Sequence, residues 1–270
     1  MDLVSYDEDA FKKIKNNFED FASKLDVKDV RFIPISALKG DNVVNRSDKM
    51  PWHEGSTLLY TLENIHIGSD QNHIDCRFPV QTVIRPKTDE YHDYRGYAGR
   101  IAGGVFKQGD EVTVLPSGFA SKIKPIDTFE GPVEEAFAPM SVTISLEDDI
   151  DVSRGDMIVR TNNKPDAKQD IEVMLCWLNN KGPMQRAKYT IRHTTFEAKA
   201  MIKEIRYKLD ISTLHRNEEE KSIGANDICR ASLRTTKPLL IDSYRKNRNT
   251  GSIILVDEGT NETVAAGMVI

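Results

Sequence analysis

Asp2 and the run Ser36-Ala37-Leu38 are the first residues in this sequence with an evident chemical use. An ionised carboxylate only accepts hydrogen bonds, and it can take two N–H donors that lie side by side, as guanine presents with its N1–H and 2-amino group. Ser36-Ala37 follows the apolar run Arg31-Phe32-Ile33-Pro34-Ile35, so a hydroxyl able to brace a loop and a backbone N–H stand at the end of that run. Other reactive types are less organised. Cys76, Cys176 and Cys229 form no Cys-x-x-Cys, and three widely spaced cysteines suit buried thiols in a reducing cytosol. His53, His66, His73, His92, His193 and His215 show no metal-ligand spacing, and His193 reads as an internal hydrogen-bonding histidine. The sequence contains no Gly-x-x-x-x-Gly-Lys-Ser/Thr, hence no loop of backbone amides to cradle phosphates and no accompanying lysine or Mg²⁺-binding hydroxyl. Asp93-Tyr94-Arg95-Gly96 matches a terminal-phosphate-sensing Asp-x-x-Gly but lies within β-patterned sequence, where it reads as a chance match. Arg234, Lys237, Arg245, Lys246 and Arg248 cluster in sequence and could face nucleic-acid phosphates. A net charge of −5 favours a solvated face or a subunit contact instead.

The elements that must position these groups change character along the chain. Ser5 to Glu8 fits a capping box, and behind it Phe11, Ile14, Phe18, Phe21 and Leu25 recur at helical spacing, which predicts an amphipathic helix covering a sheet. Val30 to Ile35 reads as a strand buried on both faces, the tail of an α/β unit. Gly40-Asp41-Asn42 breaks it, and Ser56 or Thr57 caps a second helix with Leu58, Leu59, Leu62 and Ile65 on one face. Gly68 to Asn72 is a polar linker. From Phe78 the period becomes two: Phe78, Val80, Thr82 and Ile84 alternate with Arg77, Pro79, Gln81 and Val83 until Arg85-Pro86. Strands are predicted at Gly96 to Val105, Glu111 to Leu115, Ser121 to Ile126, Ser141 to Leu146 and Met157 to Arg160, at the spacing of a small barrel. After a second linker at Lys164-Pro165-Asp166 come Val173 to Leu178, Tyr189 to His193, Ala200 to Ile205, Ile228 to Leu233, Ile253 to Val256 and Val264 to Ile270. Glu218-Glu219-Glu220-Lys221 reads as a surface loop. The predicted fold is mainly β: an α/β remnant followed by two antiparallel β-barrels.

That order of motifs resembles the translation-factor-like GTPases. They place a guanine-reading aspartate last in Asn-Lys-x-Asp, and Met1-Asp2-Leu3-Val4 looks like the end of that motif and its continuation. The spacing from Asp2 to Ser36-Ala37, across one helix and one strand, is also theirs. Lys39-Gly40-Asp41-Asn42-Val43-Val44 and Met50-Pro51-Trp52 resemble both elongation factors of the one-alpha type and the regulatory GTPase subunits of bacterial sulfate adenylyltransferase. The barrel sequences separate the two. Arg95-Gly96-Tyr97-Ala98-Gly99-Arg100-Ile101-Ala102-Gly103-Gly104, Val114-Leu115-Pro116-Ser117-Gly118 and Asn247-Arg248-Asn249-Thr250-Gly251-Ser252 resemble the sulfate adenylyltransferase family closely.

The resemblance implies barrels like domains 2 and 3 of elongation factor Tu. The expected division is 1–67 as the remnant of a P-loop GTPase domain, 73–161 as the first barrel and 167–270 as the second. It further implies a cytoplasmic subunit whose GTP hydrolysis, with Mg²⁺, drives synthesis of adenosine 5′-phosphosulfate from ATP and sulfate. Adenylyl transfer would belong to a separate small catalytic subunit, the expected partner; neither a membrane nor a nucleic acid is expected. Asp2, Ser36, Ala37 and Leu38 would form the guanine-base side of the GTP site, with the Ala37 N–H meeting guanine O6 and Leu38 flanking the ring. No catalytic residue or metal ligand is expected in this sequence. It is read as starting partway through the nucleotide-binding domain, so that these 270 residues would neither hold nor hydrolyse GTP. The other reading is an elongation-factor-like barrel module that carries aminoacyl-tRNA.

Overall fold

The structure, a computed structural model, describes residues 1–25, 27, 29–65, 71–86, 94–183 and 187–270. Asp93, His66, His92 and the Gly68–Asp70 part of the expected linker lie outside the described residues. The chain forms two compact units, Met1–Ser69 and Asp70–Ile270.

The first unit begins with a 3-10 turn, Asp2–Val4, followed by helix α1 (Glu8–Ala22). The cap of α1 is Asp7, whose carboxylate accepts the N–H groups of Asp9 and Ala10, and not the expected Ser5. Ser5 terminates the preceding turn in a left-handed conformation and stands too early to cap. The apolar side of α1 is not sealed by a sheet: Ile14 is 66% and Phe18 45% exposed, although Phe11 packs on Trp52 and Phe18 on Phe32. Val30 to Ile35 forms no strand, contrary to its apolar pattern. A parallel strand needs neighbours for its N–H and C=O groups, and the first unit has no other strand among its described residues. Only a single bridge, Ser36 to Asp41, forms there. Helix α2 (Leu58–Asn64) is capped by Thr57, and its apolar face at Leu59 and Leu62 is exposed.

The second unit holds two closed barrels. The strands of the first are β1 (Arg77–Ile84), β2 (Gly96–Arg100), β3 (Val105–Lys107), β4 (Glu111–Leu115), β5 (Ala120–Thr128), β6 (Gly131–Val133), β7 (Glu135–Phe137), β8 (Ser141–Leu146) and β9 (Met157–Arg160). They run β4-β9-β1-β2-β8-β5 and close through β4–β5 pairing, with β6 added to β5 and β3–β7 forming a separate ribbon. The second barrel has β10 (Asp166–Trp177), β11 (Lys188–His193), β12 (Phe196–Leu209), β13 (Arg216–Asn217), β14 (Ile228–Ile241), β15 (Ser252–Asp257) and β16 (Thr263–Val269). Its order is β11-β15-β16-β10-β14-β12, closed by β11–β12, with β13 appended to β12. The short β6, β7 and β13 have no signal in the alternation and were not expected.

Each barrel has its own core. Phe78, Val80, Val112, Ile126, Ile144 and Ile158 fill the first; Val173, Leu175, Ile191, Leu233 and Leu255 fill the second. The alternation that marks these strands is the pleat itself, which sends successive side chains to opposite faces. The first half of β1 departs from it, because Arg77 to Val80 are buried on both faces. Phe78 and Val80 point into the barrel, while Arg77 meets the second barrel at Asp242. Among the described residues no helix is long and apolar enough to cross a membrane.

Candidate functional site

The structure brings Asp2 and Ser36 into direct contact. Ser36 Oγ donates to Asp2 Oδ1 at 2.6 Å, and the terminal amine of Met1 donates to the carbonyl of Ile35 at 2.8 Å. Ser36 also closes its own loop: its Oγ accepts the Lys39 N–H, its N–H donates to the Asp41 carbonyl, and its carbonyl accepts the Gly40 N–H. Gly40 has φ +77, a left-handed turn position that suits a residue without Cβ. Ala37 and Leu38 form the tip of this loop. No acceptor takes the Ala37 N–H among the described residues, and Leu38 is 81% exposed.

A second tier of bonds fixes this corner, and the sequence reading did not find it. Tyr6 Oη donates to Asp41 Oδ2 at 2.7 Å, and Ser47 Oγ donates to Asp41 Oδ1 at 2.7 Å. Lys49 Nζ stands 3.5 Å from Asp41 and 4.9 Å above the Tyr6 ring. Buried Asn42 donates to the Pro34 carbonyl and accepts the Ser47 N–H, and Trp52 Nε1 reaches the Tyr6 carbonyl. Gly40-Asp41-Asn42 thus does more than break an element, although nothing in a single Asp or Tyr announces a partner 35 residues away.

Ionisation follows these contacts. The hydrogen bond from Ser36 holds the Asp2 carboxyl below its ordinary value. Hydrogen bonds from Tyr6 and Ser47 do the same for Asp41, while the Tyr6 phenol is raised because its proton is held by the Asp41 carboxylate. The corner therefore offers an ionised acceptor, a backbone donor with no acceptor among the described residues, and an exposed apolar side chain. That donor set suits the edge of a planar heterocycle. An ionised carboxylate at its centre repels a phosphate group and favours N–H donors. No group of three or more His, Cys, Asp or Glu side chains among the described residues could hold a metal ion.

The second polar assembly lies between the two barrels. Arg77, 1% exposed, makes a bidentate pair with Asp242 at 2.8 and 2.9 Å and donates to the carbonyl and side chain of Asn163. Thr250 Oγ1 completes Asp242, and His193 Nε2 lies 2.8 Å from the Thr250 carbonyl. Since a carbonyl only accepts, that nitrogen carries the proton. Burial pushes the pKa of His193 down so that it stays neutral, consistent with the internal role expected of it. Asp75 receives Asn72, Asn163 and Lys246; burial opposes its ionisation, but these donors hold it below the ordinary carboxylate value. Asn247 and Asn249 both donate to the Ala102 carbonyl. A Cβ on Gly103 would meet the Asp75 carbonyl at 2.6 Å and Asn247 Nδ2 at 2.7 Å. The Ala102-Gly103-Gly104 and Asn247 to Gly251 motifs, distant in sequence, are therefore the two halves of one joint.

The basic residues singled out in sequence are divided by the fold. Lys246 belongs to this joint, whereas Arg234 pairs with Asp170, beside Lys203 on the same carboxylate. Arg206 and Arg230 pair with Glu172 in the same way. Glu218 to Lys221 are all exposed, consistent with a surface loop. All three cysteines are free, and burial pushes the Cys229 thiol up to about 11.

Residues 170–270 match the GTP-eEF1A C-terminal domain-like family model. The chain is 50% identical to a bifunctional enzyme CysN/CysC of Mycobacterium tuberculosis over 100% of its own length and 44% of that protein. It is 43% identical to sulfate adenylyltransferase subunit 1 of Alteromonas mediterranea, over 100% of this chain and 56% of the relative. The chain thus spans about half the length of the curated relatives it matches. Among solved structures, Sup35 complexed with GMPPNP aligns with TM-score 0.67 at 21% identity, covering 99% of this chain and 66% of that one. Elongation factor SelB of Methanococcus maripaludis aligns with TM-score 0.58 at 18% identity, covering 78% and 46%. These two establish the fold. With 43–50% identity along its whole length, this chain belongs to the family of the CysN/CysC and sulfate adenylyltransferase subunit 1 proteins.

Proposed function

We propose that this chain is part of the GTP-hydrolysing regulatory subunit of a cytoplasmic sulfate adenylyltransferase. In this role the subunit couples GTP hydrolysis to formation of adenosine 5′-phosphosulfate from ATP and sulfate. The observation that carries the reading is the identity of 43–50% over the entire chain to proteins that bear those names. Joining sulfate to an adenylyl group makes a phosphosulfate anhydride, a strongly uphill product, so an energy source must be linked to the step. A small catalytic subunit performs the adenylyl transfer, and the barrels are the docking and relay surfaces. GTP, with Mg²⁺, supplies the hydrolytic free energy when bound to the complete subunit.

In this reading the Asp2 carboxylate accepts guanine N1–H and the 2-amino group, Ser36 braces that carboxylate, the Ala37 N–H donates to O6, and Leu38 covers one face of the ring. The Ser36 bond to Asp2 supports it, since it keeps the acceptor ionised and oriented. The 270 residues alone are proposed neither to hold nor to hydrolyse GTP, because phosphate contacts supply most of a nucleotide's charge recognition and the sequence has no loop for them. The aminoacyl-tRNA reading is weakened by the pairing of Arg206, Arg230 and Arg234 with Glu172 and Asp170, which spends charge that a phosphate backbone would need.

The test is reconstitution. Mixed with the small adenylyltransferase subunit, the complete subunit should form a stable complex and raise adenosine 5′-phosphosulfate yield in a GTP-dependent manner. The 270-residue chain should bind the small subunit without that gain. A yield indifferent to GTP, or salt-sensitive tRNA binding in place of the complex, would overturn the reading.

A further inference from the structure

Ser5 and Tyr6 are consecutive residues with side chains at φ 51 and 61, both in the left-handed region. Such a pair is unfavourable and persists only where surrounding contacts over-determine it, a situation concentrated at ligand clamps. Here the turn swings the Tyr6 phenol onto Asp41, 35 residues further along, at 2.7 Å. Tyr6 belongs to the Asp2 turn, because its N–H donates to the Met1 carbonyl. Asp41 belongs to the Ala37 loop, because its carbonyl accepts the Ser36 N–H. The Tyr6–Asp41 bond therefore ties together the segments that carry the Asp2 acceptor and the Ala37 donor, parallel to the Ser36–Asp2 bond. Burial is not its purpose: Tyr6 is only half-buried, and a phenylalanine would supply the same ring. What the hydroxyl adds is a fixed separation.

We propose that Tyr6 and Asp41 are positioning residues that set the distance between the Asp2 carboxylate and the Ala37 N–H. They thereby fix selectivity for a purine bearing both a 6-oxo and a 2-amino group. This rests on the reading of the corner as a base site. Ser47, which donates to the other oxygen of Asp41, and Trp52, which holds the Tyr6 carbonyl, keep the pair aligned. A carboxylate held at one separation can take two adjacent donors at once; a loosened one takes either singly and ceases to count the 2-amino group.

The test compares GDP with IDP, which lacks only that amino group, on the complete subunit. Wild-type protein should prefer GDP by about ten- to a hundredfold, the worth of a hydrogen bond to a charged group. Tyr6→Phe should bring the two affinities to within about threefold, mainly by weakening GDP, with no loss of melting temperature in the barrels. Asp41→Asn, which keeps an acceptor for the phenol, should retain an intermediate preference. If Tyr6→Phe unfolds the first unit, Asp41→Asn alone decides through the same ratio. Equal weakening of GDP and IDP, or an unchanged ratio, overturns the positioning role and leaves the base site standing. A wild-type protein indifferent to the 2-amino group removes the base-site reading itself.

Discussion

The two compact units of this chain solve the same packing problem with opposite success. In Asp70–Ile270 every long strand is paired on both sides by barrel closure, and the inward residues are sealed: Phe78, Val112, Ile144, Val173 and Leu255 have no or almost no accessible surface. In Met1–Ser69 neither helix has a buried residue, and the apolar run at Val30 to Ile35 joins no sheet. Both stretches carry strong apolar patterns. A barrel supplies its own second face by curling, whereas an amphipathic helix and a parallel strand obtain theirs from neighbours. What orders the first unit is a lattice of local polar bonds around Asp2, Ser36, Tyr6 and Asp41, and what orders the second is core packing plus one buried ionic joint.

The contrast can be broken most sharply at that joint. Asp242→Ala leaves the Arg77 guanidinium buried without its partner and should destabilise the second unit by about 3–5 kcal/mol in urea unfolding, whereas Arg77→Met with Asp242→Leu should recover most of the loss. A cost for Asp242→Ala near that of a surface substitution would mean that the barrels hold together without the pair. Truncation of aromatics tests the packing difference directly. Phe78→Ala should cost about 3–5 kcal/mol, while Phe18→Ala on the exposed side of α1 should cost under about 1 kcal/mol. Similar costs at the two positions would dissolve the comparison.

Acid should distinguish the units as well. His193 is neutral in the fold, with its pKa lowered below 6.5 by burial. As the pH falls below that value, the unfolded chain takes up the proton and the folded one resists. Stability present above pH 6.5 is then lost by up to about 1.4 kcal/mol per pH unit. The Asp242 charge acts on His193 in the opposite direction to burial, and it is paired with Arg77. His193→Gln should flatten melting temperature against pH in this range. In the first unit the sign is the same and only the window differs: Asp2 and Asp41 are held below 3.8, so their contribution is present above that value and fades as the pH falls through the lowered ones. The smallest expected effect is Ser36→Ala, which should return the Asp2 titration toward its ordinary position, readable by NMR, without moving the barrel transition.

The barrels were legible almost residue by residue. Glu111 to Leu115, Ser141 to Leu146 and Met157 to Arg160 are expected as short strands at barrel spacing and form strands with those same bounds, because apolar, β-branched runs between turn residues are local signals. The long strands β12 and β14 run well past the predicted segments: the Phe196 end of β12 pairs with β11 and the Ile241 end of β14 with β10, beyond bulges that composition does not encode. The helices were legible as helices, but the fate of their apolar faces was not. Asp2 and Ser36 were singled out together and lie in contact, whereas Tyr6 and Asp41 went unread because a hydrogen bond across 35 residues leaves no period.

The sequence by itself determined the mainly β class, the strands, and the family to which the chain belongs, because these depend on local pattern and on short motifs that survive without context. Only the tertiary structure decided that Val30 to Ile35 would form no strand, that Arg77 would enter a buried pair with Asp242, and that Ala102-Gly103-Gly104 and Asn247 to Gly251 would meet at one joint. Each of those outcomes depends on which groups arrive opposite one another. Backbone amides without partners, a buried guanidinium and a glycine facing an asparagine acquire their energies only from that arrival.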